Sequence, residues 1–310
     1  MYEHETLEYR LGATAASDRL DKVLAQLLPS HSRSRLQGWI EGGHVLLNGL
    51  PVRVRQVVGP GDVITVHPQP APEELAFAPE PVEFGVVAES PEWVVVDKPA
   101  GLVTHPGAGN WHGTLLNGLL YRYPELSRVP RAGVVHRLDK DTSGIMVVAR
   151  SPEAQTHLVR QLQARSVRRE YVALLHGRLE RGGKVERAIG RDPAVPVRMS
   201  VERPVAPKPA ITHYEPLRHG ALAEGGVVTE AACRLETGRT HQIRVHMSSL
   251  KHPLVGDMLY GGRMVAGATR QMLHARALAF HDPAGGGVLS FRSEPPADFQ
   301  AVLASVQWQV

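Results

Sequence analysis

Residues 134–150 read VVHRLDKDTSGIMVVAR. Two apolar ends enclose nine residues that carry five titratable groups: His136, Arg137, Asp139, Lys140 and Asp141. Apolar, charged, apolar is the pattern of a strand, a loop and a second strand. A plain turn needs only Gly, Asn or Pro, so this density of charge raises the question of chemistry. Directly after it, SPEAQTHLVRQLQA (151–164) carries helix start signals: Ser151 as N-cap, Pro152 at the first position and Glu153 in the first turn. REYVALLHGRL (169–179) then alternates like a strand. Upstream, VVAES and WVVVDKP read as a hairpin of buried strands, and NWHGTLLNGLLYRYP as a helix ending before Pro124. ACRLETGRTHQIRVHMSSLKHPLVGDMLYGG (232–262) closes the set, with Arg239 and Arg244 expected on a strand. Strands dominate, and the alternation of a doubly wound parallel sheet is missing. The expected fold is therefore α+β, with a mixed, mainly antiparallel sheet flanked by helices.

Residues 67–81, HPQPAPEELAFAPEP, hold five prolines and show no period. Proline fixes φ and extends its preceding neighbour, so a semi-rigid linker is expected over 71–82. It divides a small N-terminal domain, 1–70 with its core at about 18–68, from a large C-terminal domain at 83–310. In the small domain DRLDKVLAQLL puts Leu20, Val23, Leu24, Leu27 and Leu28 on one helical face, with Asp18 as N-cap. SRSRLQGWIEGG reads as a second helix capped by Ser32 and stopped by Gly42 and Gly43. Short strands follow, joined by turns at Asn48–Gly49 and Pro60–Gly61. Alternation places Arg53 and Arg55 on one strand face.

Of 310 residues, 43% are hydrophobic and 21% charged, with a formal net charge of +4. This is globular composition, and the charge permits a nucleic-acid partner without demanding one. The lone cysteine, Cys233, can form no internal disulfide and no thiolate zinc site. The N-terminus has no apolar run of signal-peptide type, and no stretch approaches a membrane span. A soluble, cytoplasmic protein without a membrane partner is expected.

Three chemistries fail on the charged loop. A kinase would need a Gly-rich phosphate loop before it and Asp-Phe-Gly after it, and neither is present. A metal site from His136, Asp139, His241 and His246 needs the last two on one face; on a strand, five residues apart, they oppose. A Ser143–His136–Asp139 triad crowds its members into one short loop. What survives is a single carboxylate, Asp139, held by a distant arginine such as Arg239 or Arg244. A carboxylate in a partly dry cleft loses solvation, and an arginine neighbour restores its ionised form. Such a group is a competent nucleophile or base.

HRLDKDTSG, REYVALLHG, RLETGRTHQIRVHM and HPLVGDMLYGG, opened by DKPAGLVTHPG, resemble the motifs of the pseudouridine synthases that modify ribosomal and transfer RNA. The likeness runs from about 83 to 300. RLDKVL, SRSRLQGWIEGGHVLLNG and GPGDVITV resemble the small RNA-binding module first known from ribosomal protein S4. These resemblances imply isomerisation of uridine to pseudouridine in large-subunit (23S) ribosomal RNA, without cofactor or metal. They imply ribosome biogenesis as the setting, with a stem-loop or pre-ribosomal particle as partner. The same chemistry on another ribosomal site or on transfer RNA is the alternative; a non-catalytic RNA-binding assembly factor is the rival from another class. Carried over, Asp139 is the catalytic carboxylate, whether it attacks the sugar, attacks the ring or deprotonates the sugar. Arg244 is its basic partner. Tyr171 packs on the base, with a part in proton transfer. Arg137 fills the place of the extruded nucleotide. Arg33 and Arg35 match the module's phosphate-binding cations, and Arg53 and Arg55 extend them. The segments 218–228 and 262–273 bear on which uridine is chosen.

Overall fold

The computed structural model describes residues 6–69, 76–107 and 109–309. The first part of the Pro-rich linker, up to residue 75, lies outside the described residues. The chain divides into two compact units, Met1–Glu74 and Leu75–Val310.

In the small unit two helices, Leu20–Leu27 and Arg33–Glu41, pack on an antiparallel sheet. The core is Leu20, Leu24, Leu36, Ile40, Val45, Ile64 and Val66, all at most 2% exposed. Ser32 caps the second helix as its sequence suggests, accepting the N–H of Arg35. The first helix departs from expectation. Its N-cap is Arg19, with no side-chain cap, because Asp18 is taken up in a short strand pair with Val58. Asn48 and Gly49 both adopt positive φ, which closes the Leu46–Pro51 hairpin. Arg53 and Arg55 are not on a strand. They project from a loop whose alternate residues, Val52 and Val54, pack on the core.

The large unit is built on a ten-stranded sheet. Its main order runs Gly183–Glu186, Ile211–Ala221, Val227–Leu235, Arg168–His176, Leu273–His281, Ser143–Ala149, Trp93–Lys98, Gly85–Glu89. Every pairing is antiparallel except one: Leu273–His281 and Ser143–Ala149 run parallel, with Ala275 opposite Gly144. Gly144 has φ 114°, and a Cβ there would lie 2.3 Å from the Ala275 carbonyl oxygen. Only glycine lets the two backbones meet. The hairpin of Gly85–Glu89 with Trp93–Lys98 forms as read, but only its second strand is buried; the first is an edge. The Leu115–Arg122 and Pro152–Gln163 helices flank the sheet, capped by Thr114 and Ser151. One core gathers Val94, Val96, Leu115, Leu119, Leu138, Val148, Tyr171 and Leu175. No helix among the described residues is long and apolar enough to cross a membrane.

Two readings are corrected. The first apolar end of the opening stretch is not a strand: after a 3-10 turn at Pro130–Gly133, Val134 makes a single bridge to Val148. RTHQIRVH is not a strand either. Gln242–Ser249 is a helix, entered through His241 in a left-handed conformation. On this helix His241 and His246 do not oppose as they would on a strand, but they bind different partners. His246 meets Thr212 and the Arg187 carbonyl, and His241 meets Tyr260.

Candidate active site

Asp139 sits on a loop whose backbone is held residue by residue. The Leu138 carbonyl accepts from Thr104 Oγ1 at 2.8 Å, and the Asp139 carbonyl from the N–H of Thr142 at 3.0 Å. The Lys140 carbonyl accepts from Lys98 Nζ at 3.0 Å and from the N–H of Gly101 at 2.9 Å. The Asp141 carbonyl accepts from Arg270 Nη1 at 2.9 Å, and Arg270 is itself forked on Asp298. Leu138 is buried and anchors the loop in the core. The side chain of Asp139 is thereby aimed without depending on its own contacts.

Lys98 is fully buried, and its ammonium donates to three carbonyls, those of Pro99, Leu102 and Lys140. Three acceptors match the three protons of the charged form. Burial pulls its pKa down to about 7, against the opposing pull of Asp139 and Asp141.

Arg244, on the Gln242–Ser249 helix, meets Asp139: Nη1 lies 3.2 Å from Asp139 Oδ2. Its other nitrogens fork onto Asp257, Nε to Oδ2 at 2.6 Å and Nη2 to Oδ1 at 2.9 Å. Burial opposes the charge, but the bonds from Asp257 and the nearby Asp139 outweigh it and raise the guanidinium's pKa. The helix is aimed by Gln242. Its Oε1 accepts from Thr237 Oγ1 and the N–H of Arg239, and its Nε2 donates to Ile211 and Thr212. Tyr260 packs 5.0 Å from the Arg244 guanidinium, and its hydroxyl accepts the N–H of Met199 and meets His241 Nδ1.

Asp139, Arg244 and Gln242 line one cavity of about 590 Å³ together with Tyr171 and Arg137. Tyr171, on the Arg168–His176 strand, is 5% exposed and also part of the core. Burial pushes its phenol up to about 12, so it is a neutral hydroxyl at ordinary pH. Arg137 is exposed at the rim, and Arg131, Arg165, Arg169 and Arg239 complete a wall rich in guanidinium. The structure thus brings together Asp139, Arg244, Tyr171 and Arg137. Arg239, the other arginine considered for Asp139, donates instead to the Pro209 carbonyl.

Asp257, Lys98, Tyr260 and Arg270 are not singled out from the sequence. Each acts through tertiary contacts with distant segments, although three of them, Lys98, Asp257 and Tyr260, lie in the stretches DKPAGLVTHPG and HPLVGDMLYGG.

The module's arginines behave differently from one another. Arg33 donates to Asp21 Oδ2 at 2.6 Å, and Arg19 and Gln37 join it there. Asp21 is fully buried; burial works against its charge, but these bonds hold its carboxyl well below the usual range. Arg33 therefore closes a buried ionic cluster while its side chain stays 47% exposed. Arg35 stacks 5.4 Å from Trp39 and donates to the Gln69 carbonyl. Arg53 and Arg55 are exposed.

Residues 92–249 match the family model described as RNA pseudouridylate synthase, and residues 18–64 match that of the S4 domain. A ribosomal large subunit pseudouridine synthase D of Neisseria meningitidis serogroup B is 48% identical over 96% of this chain and 82% of its own. The protein of the same name from Nitrosomonas europaea is 46% identical, covering 97% of this chain and 88% of its own. Among solved structures, human RNA pseudouridylate synthase domain containing 1 aligns with a TM-score of 0.59 at 28% identity, covering 78% of this chain and 91% of that one.

Proposed function

The chain belongs to the family of RNA pseudouridylate synthases, isomerases of uridine in RNA, and we propose that it works on large-subunit ribosomal RNA through the carboxylate of Asp139. The reaction breaks the bond from C1′ to N1 of the base, turns the base, and joins C1′ to C5. A proton leaves C5 and one arrives at N1, so nothing is oxidised or reduced.

The observation that carries the reading is the ion pair of Asp139 Oδ2 with Arg244 Nη1, 3.2 Å apart, on the wall of a cavity. Arg244 is locked by Asp257, so it holds one oxygen of Asp139, and Oδ1 has no partner among the described residues. A carboxylate oxygen, oriented and only partly solvated, can serve the glycosidic step as nucleophile or as base. Tyr171, kept protonated, offers a flat face for the uracil and a hydroxyl to donate. A phenol in that state is a packing and hydrogen-bonding group before it is a base. The target must leave its stack to reach these groups, which costs least in a loop. A stem-loop, free or within an assembling ribosomal particle, is the substrate we expect, with Arg137 filling the vacated place. The module adds sequence-independent phosphate contacts through Arg35, Arg53 and Arg55, with Arg33 contributing from its ion pair. We place this work in the cytoplasm, where the buried single thiol of Cys233 has no pairing to make.

The same chemistry on another ribosomal site or on transfer RNA is separated by one experiment. Pseudouridines are mapped by carbodiimide adduct and primer extension in a strain lacking the gene, complemented with the wild type or with Asp139→Asn. Loss of one or more large-subunit positions, restored by the wild type only, is expected. Restoration by Asp139→Asn would overturn the role of Asp139, and a change confined to transfer RNA would overturn the ribosomal target.

A further inference from the structure

The cavity wall contains a positive charge with no negative partner. Arg169 is 6% exposed. Its Nη2 donates to the Glu236 carbonyl at 3.2 Å, and its buried Nε has no partner. No carboxylate among the described residues pairs with it. The carboxylate of Glu236 is engaged by His213 and Arg165, and that of Glu170, next in the chain, by Arg276. Two further neighbours, His136 and Tyr171, are neutral. His136 Nε2 accepts the N–H of Val147, and burial, with Arg169 nearby, pulls its pKa to about 3. Tyr171, two residues along the strand, is a neutral phenol. Gly238 makes room for the guanidinium: a Cβ there would lie 2.7 Å from Arg169 Nη1.

A buried guanidinium without an anion is a costly arrangement. It is understandable where a ligand brings the anion. We propose that Arg169 is an anion subsite of this cavity, taking a non-bridging oxygen of the backbone phosphodiester beside the extruded uridine. The proposal rests on the isomerase reading of the same cavity and adds to it the group that fixes the backbone. A uracil carbonyl would accept a hydrogen bond but leave the charge uncompensated, whereas a phosphodiester does both and fits the guanidinium fork. Flipping a nucleotide swings its own phosphates toward the cavity mouth. Arg131, Arg137, Arg165 and Arg239 then continue a cationic line outward for the neighbouring phosphates.

The test compares wild type with Arg169→Gln on an in vitro transcript of large-subunit ribosomal RNA, by filter binding across a salt series, after thermal melting has checked the fold. The variant is expected to bind about tenfold more weakly, as for one lost charge-assisted contact. Its plot of log affinity against log salt should be shallower by about 0.7–0.9. A second measurement does not depend on the variant. Hairpins carrying the mapped uridine, each with one methylphosphonate in place of a phosphate, are bound to wild type. One position next to the uridine should weaken binding about tenfold, and Arg169→Gln should lose nothing further there. An unchanged salt slope in a folded variant, no sensitive position beside the uridine, or additive losses would each overturn the subsite. Pseudouridine formation by wild type on the same transcript is scored separately: its absence overturns the ribosomal reading, whatever Arg169 does to the slope.

Discussion

Asp257 holds Arg244, and Arg244 holds Asp139. Replacing Asp257 with Asn leaves a buried guanidinium with half its counter-charge, and losing one partner of such a pair costs about 3–5 kcal/mol. Asp257→Asn is therefore expected to lower the melting temperature and reduce turnover while RNA binding changes little; unchanged melting and turnover would show that Arg244 holds its place alone. Histidine gives a pH signature. His136 and His105 have pKa values pulled by burial to about 3 and about 4. In the unfolded chain they titrate near ~6.5. Below that pH the unfolded state binds protons that the folded state refuses, so stability is full above about 6.5 and falls as pH drops toward 3. Melting between pH 7 and 5, above most carboxylate titration, should show a falling midpoint, reduced in His136→Gln; a flat midpoint contradicts the assignment. At this scale the sequence points to Asp139 through the charge of its loop and to Tyr171 and Arg244 through the family resemblance, and all three line one cavity. The sequence does not single out Asp257, because what distinguishes that residue is a partner far along the chain.

The loop of Asp139 is an element made rigid by its carbonyls. Thr104→Val removes the donor to the Leu138 carbonyl and leaves that oxygen buried, at a cost of about 1–3 kcal/mol. The expected result is a lower melting midpoint and a slower catalytic step at unchanged RNA affinity, read by single-turnover kinetics; equal kinetics would mean that the remaining ties suffice. The neighbouring segment explains why local reading reached the wrong element. RTHQIRVH contains Thr, Ile and Val, which suit strands, and its helix is fixed by Gln242 reaching Thr237, Ile211 and Thr212. Local propensity cannot register a tie to another strand. The Pro152–Gln163 helix was legible because Ser151, Pro152 and Glu153 carry its start within four residues of sequence.

The molecule consists of two units with separate cores, one around Leu24 and Ile40, the other around Leu119 and Val148. Deleting residues 1–70 should leave the large unit folded and its cavity intact, weaken RNA binding, and flatten the salt dependence by a few phosphate contacts. Unchanged affinity and slope would reduce the module's arginines to surface charge. Periodicity and the proline run suggest a division near residue 70, and the two compact units divide between Glu74 and Leu75. The parallel join at Gly144 is not legible in the sequence, since nothing local distinguishes a glycine that admits a neighbouring backbone from one in a turn.

The central claim is that an aspartate held in place by a remote arginine does the chemistry. It is tested most directly by single-turnover pseudouridine formation with Asp139→Asn, on a large-subunit ribosomal RNA transcript and with enzyme in excess of its measured Kd. The rate should fall on the order of 10³-fold or more while Kd stays within a few fold. A rate close to wild type with the carboxylate gone would contradict it.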